Sequence, residues 1–188
     1  MSQSEDTKSK LIRSAIKVFS EKGYFNAKVS DIVKDAGYAQ GTFYLYFSSK
    51  EDIFLHIVKL IVGQIDELIQ KYKNKKDKQN ISQTIYSFSE EMFLLLYSYK
   101  EVAYIFFFQL LCMQENFKEV YVSTYKKFID FYTELFCEFD NKDIIAGLIV
   151  SYGEKLLKFD LLIEKKDINK VISEFNQAVK LILRGIVK

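Results

Sequence analysis

At 188 residues, 49% hydrophobic and 28% charged, the chain is long enough to bury a sizeable core and too apolar to remain a disordered polyelectrolyte. It has no Pro and only seven Gly, which excludes folds built from many tight hairpins and leaves an all-α architecture. The net charge of +2 excludes a polycation, yet eight Lys/Arg against five Asp/Glu make residues 1–50 mildly basic and leave the remainder close to neutral.

The polar opening MSQSEDTKSK carries no signal peptide, and no stretch reaches about 18 uninterrupted apolar residues, so a cytoplasmic protein without a membrane span is expected. Residues 1–5 read as a frayed tail. Leu11, Ile12, Ala15, Ile16 and Phe19 then form a helical stripe that Lys22 and Gly23 end. Val29, Ile32, Val33 and Ala36 mark a second, short helix. Gly37 stops it, because Gly enters the left-handed conformation without a Cβ penalty. After a short turn, Gln40 to Phe47 resumes helical spacing, as in a helix-turn-helix. Phe43 and Phe47, one turn apart, face inward, which leaves Gln40, Thr42, Tyr44, Leu45 and Tyr46 outward. An amide, a hydroxyl and phenols on the free face of a short helix suit a DNA major groove.

Ser49 and Asp52 form a capping signature for a long helix from Lys50 to about Tyr72, able to leave the N-terminal unit and enter the rest of the chain. On it lies His56, the one histidine, with no Cys or second His at ligand spacing, so neither a metal nor another cofactor is expected. Residues 71–80, KYKNKKDKQN, read as a solvated helix end and loop. From Ile81 to Phe139 the chain is rich in Phe and Tyr, most of them ordinary core. Helices packed through bulky rings seldom close without a cavity, and phenols offer hydrogen bonds to a guest. The candidate lining is Phe93, Tyr97, Tyr104, Phe107, Phe108, Leu111, Phe128 and Phe159, with Gln109 as the polar handle. Such a lining implies a mostly apolar small-molecule effector; a cationic guest would require Glu90, Glu91, Glu101 or Glu115 to turn inward. Residues 103–113, AYIFFFQLLCM, are apolar nearly all round and read as a central helix. Cys112 and Cys137, both in apolar helical contexts, read as buried reduced thiols.

Two further helices are expected at 143–163 and 168–187, with more apolar surface than a small body needs to cover itself, Leu148 and Ile182 included. Ala146, Gly147, Ser151 and Gly153 are small enough to admit another helix closely.

The run from Gly23 to Leu55, GYFNAKVSDIVKDAGYAQGTFYLYFSSKEDIFL, resembles the N-terminal domain of the TetR/AcrR family of one-component transcriptional repressors. The opening amphipathic helix ending in GY, the DIVKDAG helix, the GTFYLYF recognition helix and the SKEDIF start of a fourth helix stand in the family's order and spacing. Two positions depart from the pattern: Tyr38 stands where a small aliphatic residue is usual, and Ala39 where a capping Ser is common. The missing cap costs the recognition helix about 1 kcal/mol. The resemblance implies a helix-turn-helix DNA-binding domain at 1–48 and a ligand-binding and dimerisation domain at 49–188. It also implies a homodimer through 143–163 and 168–187 on a palindromic double-stranded DNA operator. By the same resemblance Gln40, Gly41, Thr42 and Leu45 lie nearest base edges, while Ser30, Tyr44, Tyr46 and Lys50 grip phosphates. The competing readings are a helix-turn-helix protein without an effector, and an enzyme, for which no nucleophile with a base and no ligand cluster is evident.

Overall fold

Helix α1 spans Gln3–Asn26 and is interrupted at Gly23, whose φ of 71° and ψ of 166° leave the helical region. The computed structural model describes residues 3–74, 80–111 and 115–186, and all elements along them are helical. The N-terminus, expected to fray through residue 5, is helical from Gln3, with Glu5 and Asp6 favourably placed against the helix dipole and Asp6 paired to Lys10 at 2.8 Å.

Helix α2 (Val29–Ala36) ends on Gly37, in the left-handed conformation at φ 75°, and Tyr38 N donates to Val33 O at 2.9 Å. Helix α3 (Gln40–Tyr44) follows; Ala39 at its N-cap is extended and makes no side-chain cap bond. A five-residue helix has no stability of its own. It is held because Phe43 and Phe47 sink into a core of Leu11, Phe19, Ile32 and Phe54. Phe19 and Phe54 meet edge to face at 5.3 Å, and each fully buried ring contributes about 1.5–3 kcal/mol.

Helix α4 (Lys50–Asn74) starts with the expected cap: Asp52 N donates to Ser49 Oγ at 3.0 Å, and Ser48 N donates to Asp52 Oδ2 at 2.8 Å. Ile53 and Phe54 of its first turn belong to the head core, while Ile61, Ile65 and Ile69 are buried further along it. Phe54 also meets Phe117 at 5.9 Å, a ring contact between head and body.

The body contains α5 (Ile81–Ser98), α6 (Lys100–Ile105, continuing as a π-helical turn Phe106–Leu110) and α7 (Glu115–Leu135). Helix α8 (Lys142–Lys155) likewise runs on into a π-helical segment, Leu156–Ile163, and α9 (Ile168–Ile186) closes the fold. Asn80 caps α5 through Gln83 N at 3.1 Å; residues 75–79 of the expected loop lie outside the described residues. Helix α7 packs on α8 and α5 on α9, with α4 against α5 and α7. Close approach of α9 to α8 depends on Gly153, where a Cβ would stand 3.2 Å from the Phe175 ring.

Two expectations are corrected here. The 103–113 segment is not buried all round: Val102, Ile105, Phe106 and Leu110 face inward, but Tyr104 and Phe108 lie against each other on the outer side, their rings tilted and 5.1 Å apart. Cys137 is exposed, because α7 ends at Leu135, Phe136 takes the inward place and the turn delivers the next residue to solvent; Cys112 lies outside the described residues.

The α8–α9 turn is tied by a buried carboxylate. Asp160 is 1% exposed, with Lys155 Nζ 2.7 Å from Oδ2, Lys166 Nζ on Oδ1, and Lys166 N donating to its carbonyl at 2.8 Å. Burial pushes the Asp160 pKa up, the two ammonium bonds outweigh it, and the net shift is downward. Its contribution is therefore complete above the ordinary carboxylate range and is lost as pH falls through the lowered value. Asp160→Asn is expected to cost about 1.5–3 kcal/mol at neutral pH by urea unfolding, and the difference from the parent should shrink in acid.

Candidate DNA-binding face and effector cavity

The inward pull on Phe43 and Phe47 decides what α3 offers to solvent. Gln40, Gly41, Tyr44 and Leu45 are exposed, Leu45 by 80% and Tyr44 by 54%, and Thr42 is half-buried at the edge of the same face. Ser30 is exposed in the first turn of α2. Tyr46 is half-buried and shares a hydrogen bond with Ser4 Oγ at 3.2 Å, while Tyr38 Oη donates to Thr7 Oγ1 at 3.4 Å. The first turns of α1 thus brace the two ends of the reading helix, through phenols that flank it on either side. Lys22 pairs with Asp31 at 2.7 Å, and Lys17 with Asp35, tying α1 to α2.

Lys50 is placed otherwise than a phosphate-gripping side chain would be. Its ammonium donates to Tyr24 O at 2.6 Å, Ala27 O at 2.9 Å and Phe25 O at 3.5 Å, and lies 4.4 Å from the Tyr24 ring centroid. Burial lowers its pKa. The carbonyls left open where Gly23 breaks α1 are its partners, so the first turn of α4 is bolted to the end of α1.

In the body, α4, α5, α6, α7, α8 and α9 line a partly open cavity of about 170 Å³. Val58, Ile61, Val62 and Ile65 form the α4 wall. Of the expected lining, Phe93, Phe107 and Phe128 are present. Tyr97, Tyr104, Phe108, Leu111 and Phe159 are not. Tyr104 and Phe108 occupy the outer side of α6, Phe159 is exposed on α8, and Tyr97 sits under Lys100 at 4.6 Å. Gln109 does not line the cavity; its Oε1 is buried without a hydrogen-bond partner among the described residues.

The cavity's polar groups are ones that periodicity did not single out. Tyr99 Oη, on the lining, accepts from Gln64 Nε2 behind it at 3.1 Å, and Tyr121 Oη donates to Glu154 Oε1 at 2.6 Å. Burial and that carboxylate raise the Tyr121 pKa. Glu154 lines the cavity, whereas Glu90, Glu91, Glu101 and Glu115 do not. No group of His, Cys, Asp and Glu able to hold a metal occurs among the described residues, and none of their helices is long and apolar enough to cross a membrane.

Residues 11–57 match the model of the bacterial regulatory proteins of the tetR family, and residues 83–182 match the tetracyclin repressor-like C-terminal domain. The chain belongs to the TetR family. That family consists of transcriptional regulators, not enzymes. This TetR-family chain is 33% identical over 109 residues to the HTH-type transcriptional regulator YdgC of Bacillus subtilis, covering 57% of this chain and 56% of YdgC. The match therefore spans about half the length of that curated relative. A TerR/AcrR-family regulator from Aquifex aeolicus superposes with a TM-score of 0.77 at 26% identity, over 94% of this chain and 99% of that one. FadR from Bacillus subtilis, solved with stearoyl-CoA, shares the fold with a TM-score of 0.74 at 23% identity, over 95% and 98% of the two chains.

Proposed function

We propose that this TetR-family chain acts in the cytoplasm as a homodimeric, effector-responsive repressor. Residues 1–48 would form the DNA-reading head and 49–188 the effector and dimerisation body. The observation that carries this reading is the continuity of α4: its first turn is bolted to α1 by Lys50, and its next turns supply Val58, Ile61, Val62 and Ile65 to the cavity wall. A guest that displaces this wall moves the helix on which the head is mounted. Two heads spaced for successive major grooves, about 34 Å apart, then no longer fit both half-sites. For release to follow, the guest must bind the DNA-incompetent arrangement better, since equal affinity for both shifts nothing. The apolar lining supports a mostly apolar effector, as does the stearoyl-CoA held by a protein of the same fold.

The test starts with selection of bound sequences from random duplex DNA, which should return a palindrome. Gln40→Ala or Leu45→Ala is expected to relax preference at one base pair per half-site by about 1–3 kcal/mol, because an amide reads adenine and an apolar side chain meets a thymine methyl. Hydrophobic compounds that raise the melting temperature should then release that operator in a titration. Compounds that stabilise the protein yet leave operator affinity unchanged would favour a DNA-binding protein without induction.

A further inference from the structure

Glu154 is the only Asp, Glu, Lys, Arg or His among the described residues lining the cavity, and it already holds a cation. Its Oε1 accepts from Tyr121 Oη at 2.6 Å and lies 2.6 Å from Lys158 Nζ. That ammonium stands 4.8 Å from the centroid of the Phe107 ring and 5.2 Å from that of Tyr121. Phe107, Tyr121 and Glu154 all line the cavity. A carboxylate flanked by two aromatic faces selects a cation: the carboxylate supplies charge, the ring quadrupoles add attraction, and apolar walls keep water from competing. The present occupant is a side chain of the protein itself, one turn along from the carboxylate on a flexible stem. Both side chains are only 22% exposed, so the corner is largely withdrawn from solvent.

We propose that this corner is a cation subsite, filled in the free protein by Lys158, and that the effector is an amphiphile with an apolar body and one protonated amine. The assignment rests on the reading of the cavity as an effector site. An incoming amine exchanges one ammonium for another: Glu154 stays paired, the Tyr121 bond persists, and Lys158 swings out to water, where its ammonium is strongly hydrated. A carboxylate guest would have to draw Lys158 away and lie beside Glu154, so two like charges would share a water-poor corner. A neutral head group can offer the carboxylate a hydrogen bond but no charge, so it does not replace the ammonium.

Calorimetric titration of the full chain with decylamine, decanol and decanoate, each below its aggregation concentration, separates these cases. Decylamine is expected to bind about tenfold tighter than decanol, with decanoate weakest. Glu154→Gln should bring decylamine down to the affinity of decanol. Lys158→Met keeps the stem against the rings and removes the competing ammonium, so it should tighten decylamine by about threefold or more. Melting curves verify that each variant is folded; should Glu154→Gln fail, the Lys158→Met comparison decides alone. Decanoate binding tightest in the parent, and weakened by Lys158→Met, would overturn the proposal in favour of an anion subsite. Equal binding of all three head groups would overturn the cation subsite while leaving the cavity reading intact, and failure of all three to bind would overturn both.

Discussion

Replacing Leu148 and Leu181 together by Glu is expected to turn the protein from a dimer into a monomer at micromolar concentration and to weaken operator binding by more than about a hundredfold. Leu148 is 55% exposed on α8 and Leu181 69% exposed on α9. Ile144, Phe159 and Ile163 add three more exposed apolar side chains on α8 and its continuation. An apolar surface of this kind on two neighbouring helices is the sort that a second copy covers. A charge placed in such a seam loses its water without gaining a partner, which costs several kcal/mol. Operator affinity falls with it, because two linked heads bind far more tightly than two independent ones. Both positions are exposed within one chain, so the variant should keep its helical circular dichroism. Ile182 is the poorer probe, being half-buried in its own subunit, where a charge would also damage the fold. Sedimentation of the unaltered protein as a monomer at micromolar concentration would defeat the dimer.

For Lys50→Met the expected result is a loss of about 2–4 kcal/mol in stability, with DNA affinity falling only in step with the folded fraction. The side chain spans two helices: its ammonium satisfies Tyr24 O and Ala27 O at 2.6 and 2.9 Å and covers the Tyr24 ring. Met keeps much of the stem and offers no donor, so the carbonyls beyond Gly23 lose their charged partner. A phosphate contact predicts the contrary pattern, an unchanged melting curve and a salt slope smaller by about one unit. Urea unfolding together with a salt titration of operator binding distinguishes the two.

These two cases show where sequence reasoning reached and where it stopped. Gly37, the Ser49–Asp52 cap and the Phe43/Phe47 pair were legible because each acts over at most four residues. The role of Lys50 was not, since its carbonyl partners lie 23 to 26 residues earlier in the chain. Leu181 is not legible either, because it lies off the inward stripe of Val171, Phe175 and Val179, and outward apolar residues carry no periodic signal. In α6, Tyr, Phe and Leu crowd successive positions, so composition could not say that Phe107 faces the cavity while Tyr104 and Phe108 face out. Helical phase cannot be carried through a π-helical turn either, and Phe159 lies within one. Glu154 was hidden among the small residues of α8, where nothing in the pattern distinguishes a carboxylate aimed inward from a solvated one.

The hydrogen bond between Ser4 and Tyr46 has a practical consequence at the bench. Because the opening turn of α1 lies against the reading helix, any peptide fused ahead of residue 3 emerges beside the surface offered to DNA. Each added Lys or Arg in a purification tag or cleavage scar would then contribute its own counterion release, steepening the salt dependence and lifting affinity for unrelated sequences. Fusing the tag after α9 keeps that electrostatic bias out of the binding isotherm.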